Sequence, residues 1–253
     1  MMAGSTLRVV PLFSQLREND LEQLARLLRT RDYRKNAVIV LSGQPAHALC
    51  VMLSGQAKVL TTAEDGRVVI LSIVRNGDFF GEAALLDDEP HTATVVATED
   101  SRLLMLQRED FHRCIQEMPR MVLGLLRALC ARLRAADQTI GGLILLDVPG
   151  RVARLLLQLA TRSAGAQILD PPTHETIAQM IGSTRETVSR TIRGLADRKL
   201  IDVARRRIAI RDRHALEIAA GWSRRSRIPE PEHDRRSEGN ERGIRPPGDA
   251  ARG

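Results

Sequence analysis

Between Asn36 and Leu106 the chain is divided into short runs of alternating or β-branched residues. The runs read "AVIVL", "ALCVML", "QAKVLTT", "VVILSIV", "TATVVA" and "SRLLMLQ". Turn signals separate them, and Asp65-Gly66 between two of the runs is a typical hairpin turn. Because the strands are short and follow one another closely, we predict an antiparallel β-barrel or jelly roll rather than a βαβ fold.

Helical patterns lie on both sides of these strands. Residues 15–30 have leucines at helical spacing, with Asn19 or Asp20 as candidate caps. Arg108 to Ile140 predicts one long helix with a break or kink near Pro119. Its narrow apolar stripe needs a partner, and we expect the same helix of a second copy to supply it. The alternative is that the stripe packs only on its own barrel.

The sequence "DVPG" at 147–150 predicts a hinge, followed by a helix from Arg151 to Thr161. We expect any coupling between the two halves of the chain to pass through this hinge. Farther on, His174 to Ile181 predicts a short helix and Gly182 a tight turn. Ser183, three residues before Glu186, has the spacing of a capping box for the next helix.

The helix after Gly182 has two faces. Val188, Ile192 and Leu195 form the apolar face, and the opposite face is formed by Arg185, Glu186, Ser189 and Arg190. This is the helix-turn-helix pattern, whose second helix enters the major groove of double-stranded DNA. Arginine donates two hydrogen bonds to guanine, and a carboxylate accepts one from cytosine. The alternative is a solvated face in which Glu186 is only a cap.

A hairpin follows this helix and holds Lys199 and Arg205 to Arg207, near the expected DNA phosphates.

The charge distribution supports a polyanionic partner for the second half of the chain. Residues 148–222 hold 13 basic and 7 acidic side chains, whereas residues 1–147 hold 17 basic and 18 acidic ones. Residues 223–253 are rich in Arg, Glu, Pro and Gly, and this composition predicts a disordered tail.

Several function classes are disfavoured. No apolar run approaches the roughly 18 residues that span a bilayer, and the N-terminus lacks the pattern of a secretory signal. We therefore expect a cytoplasmic protein without a membrane partner. Cys50, Cys114 and Cys130 are too few and too far apart for a disulfide framework or a metal cluster. No nucleophile–base pair or metal-ligand spacing is present, so we expect neither catalytic residues nor an enzyme.

Three motifs together carry a family resemblance: "GDFFGEAALLDDEPHTATVVA", "LLDVPGRVARLLLQLA" and "TIAQMIGSTRETVSRTIRGL". From about Leu12 to Leu216 the chain resembles the cyclic-AMP receptor protein and fumarate-nitrate reductase regulator (Crp/Fnr) family. The resemblance implies an α+β fold: a cyclic-nucleotide-binding β-barrel or jelly roll (1–107), a dimerisation helix (108–146), a winged helix-turn-helix (147–222) and the tail (223–253).

The resemblance also implies partners and DNA contacts. It implies a homodimer that reads a two-fold TGTGA-like site through Arg185, Glu186 and Arg190, and that acts together with RNA polymerase. Ser189 matches the serine that the oxygen-sensing branch of the family carries at this position.

For the barrel, the resemblance implies that the loop from Gly81 to Thr92 grips a cyclic nucleotide. Amides near Gly81 to Ala84, with Ala83 among them, attract the phosphate, Glu82 accepts from the ribose 2′-hydroxyl, and Thr92 donates to the phosphate. The chain departs from cyclic-AMP binders at His91, where they carry arginine. Losing that charge-assisted contact removes on the order of 1.5–3 kcal/mol. A second departure is Ala136 and Asp137, where they carry a Thr-Ser pair.

The identity of the signal therefore stays open. The effector is cyclic AMP or cyclic di-GMP, with Arg132 and Arg134 as sources of positive charge. Alternatively the regulator needs no ligand, or it senses redox state or haem. The iron–sulfur version needs N-terminal cysteines, and none precedes Cys50; the candidate haem ligands are His47, His91 and His112. A regulatory module of an enzyme or channel would share the barrel but would have no reason to carry the helix-turn-helix.

Overall fold

The computed structural model describes residues 7–8, 10–162 and 166–221. The helices are α1 (Glu18–Leu27), α2 (Glu82–Leu86), α3 (Arg108–Glu117), α4 (Pro119–Leu145), α5 (Val148–Arg162), α6 (His174–Ile181), α7 (Arg185–Asp197) and α8 (Arg213–Ala219). The strands are β1 (Arg29–Tyr33), β2 (Val38–Val40), β3 (Ala48–Ser54), β4 (Ala57–Thr62), β5 (Val68–Val74), β6 (Phe79–Phe80), β7 (Thr94–Ala97), β8 (Ser101–Gln107), β9 (Gln167–Leu169), β10 (Ile201–Ala204) and β11 (Arg207–Ile210). The predicted tail, 223–253, lies outside the described residues.

Two four-stranded antiparallel sheets form the N-terminal half. Their strand orders are β1-β8-β3-β6 and β2-β7-β4-β5. Buried side chains from both sheets form the core between them, with Met52 and Leu103 from the first and Val74 and Val95 from the second. This arrangement, the long helix and the C-terminal helix-turn-helix confirm the predicted α+β class with an N-terminal jelly roll.

Strand β1 was not predicted, because its sequence, "RTRDY", is polar and mostly exposed. It pairs with β8 in continuous register, from Arg29 opposite Met105 to Tyr33 opposite Ser101. The predicted first helix is correspondingly shorter and ends at Leu27. Its N-cap is Arg17, whose backbone amide donates to the Asp20 carboxylate at 3.3 Å. A charged edge strand of this kind is stabilised by its neighbour's backbone rather than by an apolar face.

The predicted long helix is divided into α3 and α4 at Met118, and Pro119 is the first residue of α4. Proline is favoured there because the first amide groups of a helix have no intrahelical acceptor, so the N–H that proline lacks is not needed. The buried side of the two helices, with Phe111, Met118, Met121 and Leu125, packs on α1 and the nearby barrel strands. The helix also extends beyond the predicted end, to Leu145.

The predicted hinge is shorter than "DVPG". Only Leu146 and Asp147 are non-helical, and Val148, Pro149 and Gly150 form the first turn of α5. The Asp147 carboxylate accepts from the Gly150 amide at 2.8 Å and so caps this turn. Proline and glycine are tolerated here because the first turn of a helix needs no intrahelical donor.

The C-terminal half packs α5, α6, α7 and α8 with the sheet β10-β11-β9. Within the same compact unit, α6 also packs against β5, the edge strand of the second barrel sheet. The two halves of the chain therefore touch away from the hinge as well as through it.

Candidate functional site

The N-terminal half encloses a cavity of about 350 Å³ between β-strands, α2 and α4. Every residue predicted for the effector pocket lines it: Gly81, Glu82, Ala83, His91 and Thr92. The structure thus brings the predicted residues together in one place. Ala136 and Asp137 are not among the residues that line it, and Arg132 is.

Glu82 is the buried polar residue of this cavity. Only 5% of its surface is exposed, and one carboxylate oxygen accepts a hydrogen bond from the Arg132 guanidinium. The other oxygen, Oε2, is buried, and no described residue forms a hydrogen bond with it. Burial raises the pKa of Glu82, and the charge of Arg132 opposes that rise. A buried acceptor without a partner is costly, so a donor that reaches this oxygen would be favoured.

Arg132 reaches the cavity from α4. Its guanidinium also donates to the Phe79 carbonyl and lies 4.6 Å from the centroid of the Phe79 ring. Of the two arginines proposed as sources of positive charge, Arg132 therefore lies at the cavity, and Arg134 is exposed on α4.

His91 is held by its backbone opposite residues 42–44. Its amide donates to Gln44 at 2.9 Å, and its carbonyl accepts from Gly43 at 2.7 Å. Burial lowers the pKa of the imidazole, and the nearby His47 lowers it further. The ring is therefore biased toward its neutral form and gives the cavity no fixed charge.

Gly81 forms the turn into α2 with a φ of 90°, in the left-handed region. A β-carbon placed on it would lie 2.9 Å from the Ala48 carbonyl oxygen. Glycine is therefore required both by the backbone angle and by the close approach of β3.

Other chemistry has little support within the described ranges. No three His, Cys, Asp or Glu side chains there are grouped so that they could hold a metal ion. Burial raises the pKa of the Cys50 thiol to about 12 and that of Cys114 to about 11, whereas Cys130 is exposed on α4. Each helix in those ranges is too short or too polar to cross a membrane.

In the C-terminal half, α6 and α7 are joined by the turn at Gly182, whose φ is 64°. The predicted capping box of Ser183 and Glu186 is wrong. The Ser183 amide instead donates to Ala178 at 3.0 Å and closes the end of α6. Thr184 is the N-cap of α7, and its hydroxyl accepts from the Thr187 amide at 3.3 Å. Glu186 thus has no role as a capping-box partner.

The apolar face of α7, Val188, Ile192 and Leu195, is buried as predicted. Arg185, Glu186 and Arg190 are exposed, and the described residues give them no salt-bridge partner. Ser189 is half-buried, and its hydroxyl lies 2.8 Å from His174 Nδ1 at the start of α6. The contact with His174 was not predicted.

The hairpin of β10 and β11 forms the wing beside these helices. Its turn contains Arg205 and Arg206, and Arg206 donates to Asp170 at 2.6 Å. Arg205 and Arg207 are exposed on the same hairpin. The wing therefore offers positive charge close to the helix-turn-helix.

A second stripe runs along α4 on the side away from the barrel. We call it the seam; its positions, separated by four and three residues in turn, are Leu126, Cys130, Leu133, Asp137, Ile140 and Ile144. The leucines and isoleucines are 51–75% exposed. This is the a/d spacing of a two-stranded coiled coil. The helix thus has one apolar face on its own barrel and a second one that is largely exposed and against which no described residue is packed.

Comparison with known proteins gives the same two halves. The cyclic nucleotide-binding domain model matches residues 30–118, and the Crp-like helix-turn-helix domain model matches residues 150–218. The CRP-like cAMP-activated global transcriptional regulator of Mycobacterium tuberculosis is 32% identical over 210 residues, covering 81% of this chain and 94% of the relative. The cyclic AMP receptor protein of Thermus thermophilus is 31% identical, covering 83% of this chain and 96% of the relative.

Solved structures show the same fold. FixK2 of Bradyrhizobium japonicum aligns with a TM-score of 0.68 at 24% identity, over 76% of this chain and 96% of that one. The c-di-GMP responsive regulator CLP of Xanthomonas campestris aligns with a TM-score of 0.69 at 20% identity, over 77% and 99%. The relatives of higher identity are transcription regulators and not enzymes. With both domain models matched in order and these relatives aligned along most of their length, the chain belongs to the Crp/Fnr family of DNA-binding transcription regulators.

Proposed function

We propose that the protein works in the cytoplasm as a homodimer on a two-fold TGTGA-like DNA site, together with RNA polymerase. A cyclic nucleotide in the barrel cavity controls it. The observation that carries the proposal is the buried Glu82 carboxylate, which lines the cavity and whose Oε2 has no hydrogen-bond partner among the described residues. A ribose hydroxyl is a donor that such an oxygen accepts from.

Between the two candidate nucleotides, the cavity favours cyclic AMP over cyclic di-GMP. Its volume of about 350 Å³ lies at the small end for ligand pockets, and a cyclic dinucleotide is twice the size of a mononucleotide. The relatives at 31–32% identity are named for cyclic AMP. The c-di-GMP responsive CLP shares the fold at 20% identity and carries no argument about the ligand.

The charge of the cavity predicts weak binding. Asp78, Glu82 and Asp87 line it with Arg132, and His91 is biased toward its neutral form. Carboxylates thus outnumber guanidinium groups around a ligand that is itself an anion. The same observation supports a second candidate, a regulator that needs no effector, because Arg132 already binds Glu82 from within the protein.

Calorimetry with cyclic AMP, cyclic GMP and cyclic di-GMP tests the effector, with DNA binding measured in the presence of each. We expect heat from cyclic AMP and tighter DNA binding with it. Glu82→Gln keeps the shape of the side chain and should weaken cyclic AMP by about tenfold, because a charged acceptor is lost. Tight DNA binding without additive, and no heat from any nucleotide, would establish the ligand-independent candidate instead.

The DNA contacts are tested by selection from a randomised half-site. Arg185→Ala should relax the choice at one guanine, with a loss of about 1–3 kcal/mol of discrimination. Arg205→Ala in the wing is the matched control. It should weaken binding to all sequences alike and reduce the salt dependence. An unchanged base preference in Arg185→Ala would reject α7 as the reading helix.

The dimer is tested through Cys130, which lies on the seam. In a parallel pair of α4 helices the two Cys130 side chains face each other, and copper phenanthroline should join them in a disulfide. Cys50 and Cys114 are buried with raised pKa values and should not react. Arg127→Cys in a Cys130→Ser background places the thiol off the seam and should give no cross-link; equal cross-linking there would argue against the seam.

A further inference from the structure

The hydrogen bond between His174 and Ser189 joins the two helices of the helix-turn-helix. The His174 Nδ1 and Ser189 Oγ atoms are 2.8 Å apart, and both side chains are half-buried. Neither the capping of the two helices nor their apolar packing requires this contact. Thr173 caps α6, Thr184 caps α7, and the buried core is apolar.

The position of His174 on α6 shows why it needs a partner. His174 stands at the head of the stripe that continues with Ile177, Ala178 and Ile181, at i, i+3, i+4 and i+7. These three residues are buried. An imidazole at the first position of a buried stripe is partly removed from water and needs a hydrogen bond. The Ser189 hydroxyl supplies that bond.

For Ser189 the bond has a different consequence. A serine hydroxyl has one donor and two acceptor sites and rotates freely when it is exposed. Bonded to His174, the hydroxyl loses that rotational freedom and keeps hydrogen-bonding sites for a further partner. Ser189 lies on α7 between Arg185, one turn earlier, and Arg190. Both arginines are exposed on α7. A recognition group fixed in advance loses less entropy when it meets its target.

We propose that His174 is a positioning residue for DNA recognition. It holds the Ser189 hydroxyl toward the base edges of the major groove and thereby sharpens the choice of base at one position of each half-site. This rests on the proposed function of α7 as the reading helix. His174 itself need not touch DNA.

Base selection from a randomised half-site, together with affinity measurements, tests the proposal. His174→Leu fills the same space but has no hydrogen-bonding group. Ser189→Ala removes the other partner. Both should lower discrimination at the same single position by about three- to tenfold, and the double variant should lose no more than Ser189→Ala alone. His174→Asn carries an amide group at a position close to Nδ1 and should restore most of the discrimination.

Three outcomes would overturn the proposal: unchanged base preference in His174→Leu, a loss at a position that Ser189→Ala leaves intact, or fully additive losses in the double variant. Urea unfolding of each variant separates loss of folding from loss of base discrimination, since His174→Asn and His174→Leu should unfold at similar urea concentrations.

Arg185→Ala and Arg190→Ala are included in the same base-selection experiment. If they change base preference and His174→Leu does not, only the role of His174 fails. If neither changes it, the reading helix itself is wrong.

Discussion

Arg132 in the middle of α4 binds the carboxylate of Glu82, which lies 50 residues earlier in the chain and lines the barrel cavity. The pair connects the cavity to the helix that carries the exposed seam, because Leu133 on the seam follows Arg132 directly. A ligand that competes for Glu82 would act on Arg132 and so on α4. One ion pair thus joins the proposed effector site to the helix that carries the proposed dimer interface.

His91→Arg should raise the affinity for cyclic AMP. A guanidinium would add a charge-assisted, bidentate contact to the phosphate, worth on the order of 1.5–3 kcal/mol, or roughly ten- to a hundredfold. Calorimetry measures the change. Glu89→Gln also raises the net charge by one, at an exposed neighbour that does not line the cavity. An equal gain in that control would mean that the effect is general electrostatics and not a contact.

The affinity for cyclic AMP should increase as the pH falls below 6.5, the ordinary pKa of histidine. Burial lowers the pKa of His91 in the free protein, whereas a bound phosphate favours the imidazolium form.

The stability of the free protein should have the opposite pH dependence and should decrease as the pH falls. Because folding lowers the pKa of His91, its contribution to the free energy of unfolding is present above pH 6.5, the ordinary pKa. That contribution is lost as the pH falls through the lower pKa of the folded protein. Calorimetry and urea unfolding at several pH values measure both, and His91→Asn should flatten both curves.

Gly81→Ala should destabilise the protein by about 1–3 kcal/mol, because alanine is strained at a φ of 90° and its β-carbon would press on the Ala48 carbonyl. Gly43→Ala is the matched control. Its φ is 83°, and nothing lies within 4 Å of an added β-carbon. Urea unfolding should show a larger loss at Gly81 than at Gly43. Equal losses would show that backbone strain alone explains the glycine.

Asp137→Leu should tighten the proposed dimer. Two copies of Asp137 would meet near the two-fold axis, where like charges repel and the carboxylates lose water. Replacing buried ionic groups with apolar ones is often worth about 1–4 kcal/mol. Sedimentation over a concentration series measures the dissociation constant of the dimer. Asp137→Asn removes only the charge, and its dissociation constant should lie between those of the wild type and Asp137→Leu. A weaker Asp137→Leu dimer would contradict the seam.

The local parts of both sites could be predicted from the sequence. Gly81, Glu82, His91 and Thr92 lie within twelve consecutive residues, so a single loop and a short helix bring them to one cavity. The faces of α7 follow from helical spacing, because the buried residues Val188, Ile192 and Leu195 repeat every three or four positions. Features set by short-range geometry therefore follow from residue type and spacing alone.

The remainder depends on contacts between distant segments. Periodicity does not distinguish the barrel face of α4 from the seam, and it does not predict the ion pair between Arg132 and Glu82. The adjacent Ser183 and Thr184 are equally good caps by residue type, and the choice is made by how α6 ends. His174 had one local signal, a polar residue at the head of an apolar stripe, but its partner is 15 residues away.

Strand β5 has two neighbours of different kinds. Ser72, Ile73 and Val74 line the cavity, and α6 of the helix-turn-helix packs on the same strand. A mutation that adapts this wall to another small molecule therefore changes the strand on which the first helix of the helix-turn-helix packs. Selection for a new effector at β5 would then act on the attachment of the C-terminal half as well.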